Sequence, residues 1–228
     1  MKYKAIFIDI DDTLLDYIPC CREAFDAAMK ELADEGMSGL VDEDELFDLF
    51  FEISGRLFSE AKHGLHTIAE VMDLYPREFI EKSGLADEGV SGSVERYTDI
   101  FTHAFREAWG VTHTLVPGAE EMLQTLQAKG YRLFAASNSF GHLQRSRLEK
   151  AGILRYFEDT FISMDIGYDK PDIRFYREAL RRANLQASEV LMIGDSMTTD
   201  VLGAQAAGID ALFFDRQKDN LMALIQDL

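Results

Sequence analysis

Two aspartates stand two residues apart in Phe7-Ile8-Asp9-Ile10-Asp11-Asp12-Thr13, directly after the apolar run Ala5–Ile8. On extended chain, positions i and i+2 lean to the same side. Paired carboxylates divide chemical labour. One stays ionised as nucleophile or metal ligand, while its neighbour is pushed toward the protonated form and serves as acid. The triplet Asp-x-Asp is weak evidence by itself, because it recurs as Asp42-Glu43-Asp44. That second copy opens an amphipathic run and reads as a solvated first helical turn, favoured by the helix dipole. Context sets the first copy apart: burying acids at a strand end is costly unless they have a task.

Three further signals follow in chain order. Ser137-Asn138 ends the β-prone run Tyr131–Ala136, where a hydroxyl and N–H groups can hold anionic oxygens, although the same pair also starts turns and caps helices. Lys170 lies in Gly167-Tyr168-Asp169-Lys170-Pro171-Asp172, and Pro171 stiffens the loop that carries it. Asp195 and Asp200 lie in Gly194-Asp195-Ser196-Met197-Thr198-Thr199-Asp200, after the apolar run Val190–Ile193. Each signal comes at the carboxyl end of its own β-unit or in a loop just before a helix.

The elements that must position these groups alternate. Ala5–Ile8 is continuously apolar, as in a parallel sheet buried on both faces, and similar strand-like runs recur at Tyr131–Ala136, more weakly at Thr160–Ser163, and at Val190–Ile193 and Ala211–Phe214. Helical patterns fall at 118–129, 140–151, 172–184, 198–207 and near 217–227. The alternation predicts an α/β fold with a doubly wound, mainly parallel Rossmann-like sheet. Residues 16–113 break the rhythm with amphipathic patterns such as Phe47, Phe50, Phe51, Ser54 and Phe58. They are punctuated by Gly36, Gly39, Gly64, Gly84, Gly89 and Gly92. The expectation is an all-helical cap domain at 16–113 inserted in an α/β core of 1–15 and 114–228. Such an insertion leaves the sheet at its carboxyl edge, where open α/β sheets bind ligands, and is placed to act as a lid.

Composition narrows the partners. Asp and Glu number 41 against 23 Lys and Arg, a net charge of −18 over 228 residues. Nucleic-acid polymers and anionic membranes are repelled by such a surface, whereas a small anion is admitted if a local lysine or metal reverses the field. Cys20 and Cys21 are adjacent and make no long-loop disulfide, which points to a reducing, cytoplasmic compartment. The opening residues lack the apolar core of a signal peptide, and no stretch reaches the ~20 apolar residues of a membrane span.

Taken together, the ordered motifs resemble the haloacid dehalogenase superfamily, over nearly the whole chain. Its phosphohydrolases carry Asp-x-Asp-x-Thr, a Ser or Thr, a Lys, and Gly-Asp with a second acid. The insertion after the first motif looks like that family's C1 cap. The resemblance implies that Asp9 attacks phosphorus to form an aspartyl-phosphate. Asp11 then protonates the leaving oxygen and later activates water. It further implies that Thr13 braces the turn and that Ser137, Asn138 and Lys170 bind phosphoryl oxygens. Mg²⁺ is expected at Asp9, the backbone carbonyl of Asp11 and Asp195, with Asp200 as a further or outer ligand. The cation and Lys170 are needed, because each like-charge pair at ~4 Å costs about 4 kcal/mol at an effective dielectric of ~20.

Two details refine the resemblance. The family's dehalogenases replace the second aspartate, since a departing halide needs no proton, so Asp11 favours a small-molecule phosphate ester. Asp12 replaces the commoner glycine, and Asp tolerates unusual backbone angles better than most residues. Acids occur there in some members, including bacterial pyrimidine 5′-nucleotidases, whose overall layout is similar. Nucleoside 5′-monophosphates are thereby nominated, with sugar phosphates and phosphoglycolate as rivals. The competing readings are a sugar phosphomutase on the same scaffold, a receiver-like phospho-binding module and a silent binding protein. His63 and His66 lack a third ligand, and His103, His113 and His142 are solitary. The stripe Tyr97, Phe101, Phe105 reads as cap core.

Overall fold

The computed structural model describes residues 2–36, 42–86 and 93–228. Gly39, Gly89 and Gly92 lie outside the described residues. The chain divides into two compact units, Met1–Tyr17 with His113–Leu228, and Ile18–Thr112.

The first unit is built on β1 (Ala5–Ile8), β2 (Arg132–Ser137), β3 (Asp159–Ile162), β4 (Val190–Gly194) and β5 (Asp210–Phe213). The strand order is β3-β2-β1-β4-β5 and every pairing is parallel, so the expected doubly wound α/β sheet is borne out. β1 is central, with Ala5–Ile8 in register with Arg132–Ala135 on one side and Val190–Ile193 on the other. Its four residues are all buried, which is why it reads as a continuous apolar run rather than an alternating one.

Alternation still sorts the side chains between two layers. Ile6, Ile8, Leu133, Ala135, Leu191 and Ile193 face the layer holding α5 (Ala119–Ala128). Ala5, Phe7, Phe134, Ala136, Phe161 and Met192 face α8 (Ile173–Ala183), through Phe175, Tyr176 and Ala179. On that second face the Phe7, Phe134 and Phe161 rings lie 5.2–5.5 Å apart, and Phe134 stacks on Phe161. Between the layers' helices, α6 (Gly141–Lys150) follows β2 and α7 (Ser163–Ile166) follows β3.

Some boundaries move from the sequence expectation. β2 runs one residue further than the apolar run, so Ser137 is itself the last strand residue. The helix expected at 198–207 is a π-helix, Met197–Leu202, followed by α9 (Gly203–Ala206). The one expected near 217–227 shrinks to α10 (Leu221–Leu224), because Asn220 caps it by accepting from the Met222 and Ala223 backbone N–H groups.

The second unit contains α2 (Glu43–Lys62), α3 (Ile68–Ser83), α4 (Ser93–Trp109) and most of α1 (Tyr17–Asp34), with no strand among its described residues. Asp42 is the N-cap of α2 and accepts from the Asp44 N–H, so the second Asp-x-Asp is a helix start. The buried face of α2 is Leu46, Phe50, Ile53, Ser54 and Leu57. Of the expected Phe47–Phe58 stripe, only Phe50 and Ser54 are fully inside. Phe25, Phe50, Phe79, Phe101 and Phe105 form a ring cluster with centroids 5.0–6.0 Å apart. The stripe Tyr97, Phe101, Phe105 is part of this unit's core. No described helix is long and apolar enough to cross a membrane.

The chain passes from the first unit to the second beyond Tyr17 and returns at His113. On the first unit's side these two stretches run together. Asp16 N donates to Thr114 O, and Val116 N to Leu14 O.

Candidate active site

Asp9 follows β1 directly, and its backbone N–H still donates to Ile193 O of β4 at 2.9 Å. The carboxylate is therefore carried at the end of the central strand, paired on both sides. Lys170, from the loop before α8, reaches it: Nζ donates to Asp9 Oδ1 at 2.6 Å, to Asp200 Oδ1 at 2.7 Å and to Ala136 O at 2.7 Å. The ammonium is buried with all three hydrogens used. Burial works against its charge, but Asp200 and Asp9 outweigh that and raise its pKa above that of an ordinary lysine.

Asn138 sets the position of this lysine. Its Oδ1 accepts from Lys170 N at 2.7 Å and its Nδ2 donates to Lys170 O at 2.8 Å. The Asn138 side chain is thus engaged with the Lys170 backbone. That amide grips the Lys170 backbone on both sides, because Asn138 leaves β2 opposite the lysine loop. The Lys170–Pro171 peptide is cis.

Gly194 closes β4 and Asp195 follows it. Carboxylate oxygens of Asp9, Asp195 and Asp200 all lie within 4.8 Å of one another. Asp200, on the π-helix, is buried; its second oxygen accepts from Ser196 N at 3.0 Å. Its approach explains the glycine, since a Cβ at residue 194 would lie 2.3 Å from Asp200 Oδ2. Burial pushes the Asp9 carboxyl well above the usual carboxylate range. Lys170 opposes this, and Asp200 and Asp195 add to it. The three closely placed carboxylates suit a small divalent cation, whose charge would favour the ionised form of Asp9.

Asp11 is not part of that carboxylate group. Its oxygens accept from Gln144 Nε2 and Arg147 Nη1, each at 2.6 Å. The two aspartates of the first motif are thus held by different partners, and the side chain of Asp11 offers nothing to the Asp9–Asp195–Asp200 cluster. Ser137 is buried at the end of β2 and accepts from Gln144 Nε2 at 3.0 Å. Thr13 is fully buried, and its hydroxyl meets no protein partner among the described residues.

Asp12 has φ 59°, the left-handed region in which Asp and Asn are tolerated and glycine is at ease. Its carboxylate accepts from Tyr17 N at 3.2 Å and Arg216 Nη1 at 2.8 Å, and Arg216 also bonds both oxygens of Asp16. The side chain thus supports the turn that a glycine would enter unaided.

Sequence reading missed Gln144, Arg147 and Arg216. For the first two a signal existed. Gly141, Gln144 and Leu148 lie on one helical face of an otherwise polar segment, so that face had to bury polar groups. His63 Nδ1 meets Ser59 O, and His66 Nε2 lies 3.4 Å from Glu60.

The sequence profile of the haloacid dehalogenase-like hydrolases matches residues 3–208. The chain belongs to that family. A glyceraldehyde 3-phosphate phosphatase of Methanothermobacter thermautotrophicus is 29% identical over 219 residues, covering 94% of this chain and 86% of its own. The pyrimidine 5′-nucleotidase PynA of Streptococcus pneumoniae is also 29% identical, with coverage of 94% and 85%. A phosphoserine phosphatase of Thermus thermophilus is 30% identical over 226 residues, covering 93% and 89%. In structure, the HAD-hydrolase YfnB of Bacillus subtilis, solved bound to magnesium, matches with TM-score 0.77 at 24% identity, covering 96% and 90%. Membership makes the chain a haloacid dehalogenase-like enzyme, a hydrolase rather than a receiver module or a silent binder. The curated relatives described above are phosphatases that span it almost end to end.

Proposed function

We propose that this haloacid dehalogenase-like phosphatase hydrolyses a small phosphorylated metabolite through an aspartyl-phosphate on Asp9. The observation that carries the reading is the convergence of Asp9, Lys170, Asp195 and Asp200 at the carboxyl ends of adjacent strands β1 and β4. A nucleophile, a fixed cation and a set of hard oxygen ligands meet there.

An Asp9 oxygen attacks phosphorus as the bond to the leaving oxygen breaks. Asp11 gives that oxygen its proton and releases the alcohol. Water then attacks the phosphorus of the intermediate, Asp11 takes a proton from it, and inorganic phosphate leaves as Asp9 is regenerated. The hydroxyl of Ser137 holds a phosphoryl oxygen through both steps, and the Lys170 ammonium beside Asp9 offsets the phosphoryl charge. Asn138 holds Lys170 in place, and Thr13 braces the turn beneath Asp9. Asp9, Asp195 and Asp200 are the side chains that would hold Mg²⁺, joined by the Asp11 carbonyl; bound there, the ion neutralises phosphoryl charge.

The relatives act on glyceraldehyde 3-phosphate, pyrimidine nucleotides and phosphoserine, which share only a phosphomonoester on a small molecule. We assign the helical unit 16–113 the role of cap, and it is the part of the chain suited to choose among such esters. The net charge of −18 disfavours polymeric phosphates. Nucleoside 5′-monophosphates, pyrimidine ones first, are the leading class.

The test is a panel of nucleotides, sugar phosphates, phosphoglycolate and phosphoserine, with free phosphate and isomerised ester both measured. Release from pyrimidine nucleotides supports the reading. Release from other esters alone keeps the phosphatase and discards the nucleotide. Isomerisation without release indicates a mutase.

A further inference from the structure

Helix α6 presents two fully buried polar side chains three residues apart, and both point at Asp11. Gln144 Nε2 uses its two hydrogens on Asp11 Oδ2 at 2.6 Å and Ser137 Oγ at 3.0 Å. Arg147 Nη1 donates to Asp11 Oδ1 at 2.6 Å and to Gln144 Oε1 at 2.8 Å. Both oxygens of Asp11 are therefore held, and one of the two donors is braced by the other. Neither Gln144 nor Arg147 has exposed surface. Removing a guanidinium from water is costly, and a buried ion pair is weak as a stability device compared with apolar packing. Its value lies in fixing one geometry. Asp11 itself keeps a quarter of its side-chain surface exposed, so α6 grips it from within while leaving it accessible.

We propose that Gln144 and Arg147 are positioning residues for Asp11. They set the direction of its carboxylate and, through Ser137, join it to the end of β2. Because Ser137 Oγ accepts from Gln144, its own hydrogen is directed toward an acceptor of another kind, such as a phosphoryl oxygen. Gln144 is the pivot: one amide group reports the state of Ser137 to Asp11. Arg147 is the anchor that keeps Asp11 in reach when the Gln144 bond loosens to let the carboxyl serve the leaving oxygen. This inference rests on the reading of Asp11 as the group that serves that oxygen.

The experiment compares two probe esters, p-nitrophenyl phosphate, whose leaving group departs without a proton, and ribose 5-phosphate, whose alkoxide needs one. Gln144→Met keeps the volume and removes the donor; Arg147→Met removes the charge and Arg147→Lys restores it. The expected result, read by rapid quench as the rate of alcohol release in the first turnover, is a loss on ribose 5-phosphate about tenfold or more greater than on p-nitrophenyl phosphate. Arg147→Lys should recover part of the ribose 5-phosphate rate. In an Asp11→Asn background, Gln144→Met should cost nothing further. Equal losses on both esters, or additive loss in the Asp11→Asn background, would overturn the proposal. If the Arg147 variants do not fold, Gln144→Met decides alone, with its melting temperature as the control. Wild-type enzyme inactive on both esters, or an Asp9→Asn variant as active as wild type, would instead remove the underlying phosphatase reading and this inference with it.

Discussion

Asn138 and Lys170 grip each other through two hydrogen bonds, Lys170 N to Asn138 Oδ1 and Asn138 Nδ2 to Lys170 O, at 2.7 and 2.8 Å. The lysine that reaches Asp9 is thereby held at its backbone by the residue that follows Ser137. Asn138→Ala removes both bonds and leaves the lysine loop to be placed by Nζ alone. The expected outcome is a fall in kcat/KM of about tenfold to hundredfold with the fold retained. Steady-state kinetics beside a thermal melt checks it. An unchanged kcat/KM would mean that the loop places itself.

Asp9→Asn keeps the shape of the side chain and removes the attacking charge. Turnover should drop by on the order of 10⁴-fold or more, to background. Asp11→Asn should fall as far on alkyl esters but still release p-nitrophenol from p-nitrophenyl phosphate in a single burst, as Asp9 is phosphorylated once. Rapid-quench measurement of that burst distinguishes the two roles.

Asp195 and Asp200 are the proposed cation ligands alongside Asp9. Activity should vanish in chelator and return with Mg²⁺. Saturating Mg²⁺ should also raise the melting temperature, since a ligand at about 100 times its Kd stabilises by ~2.7 kcal/mol. Asp195→Asn should shrink that shift. Full activity in excess chelator, or a Mg²⁺ shift untouched in Asp195→Asn, would sink the assignment.

Gly194→Ala tests the close approach of Asp200. The new Cβ would lie 2.3 Å from Asp200 Oδ2 and 2.4 Å from its Cγ, so the carboxylate must retreat from Lys170. Destabilisation of about 1–3 kcal/mol is expected from overpacking, together with loss of most activity. Chemical denaturation and phosphate release measure the two effects separately.

Glu178 on α8 accepts from Arg181 and Arg182, and these bonds lower its pKa to about 2 from the usual 4.5. A depressed folded-state value means stability present above about 4.5 and lost as the pH falls toward about 2. Glu178→Gln should therefore melt earlier than wild type at pH 7, and the gap should close as the buffer is taken below pH 4.5. The effect is small because these ion pairs lie at the surface, where solvent screens them. A gap as large at pH 3 as at pH 7 would show another origin.

Local pattern determined a good part of this protein. Ala5–Ile8 and Val190–Ile193 are apolar without interruption, which only a strand covered on both faces requires, so the central strands and the acids at their ends could be placed from the residue order alone. The helical character of the described residues between β1 and β2 was legible in the same way, because helix and strand periods act over a few residues. The tertiary structure decided what these groups touch. Asp11 is separated from Arg147 by 136 positions and Asn138 from Lys170 by 32, and no periodicity records either pairing. The turn that Asp12 enters at φ 59° depends on Arg216, 204 positions away. Nor does the sequence say that Asp9 turns to Lys170 while Asp11 turns to α6. Each partner is chosen by how the helices settle on the two faces of the sheet, where a buried charge must find its counterpart or pay the full cost of leaving water.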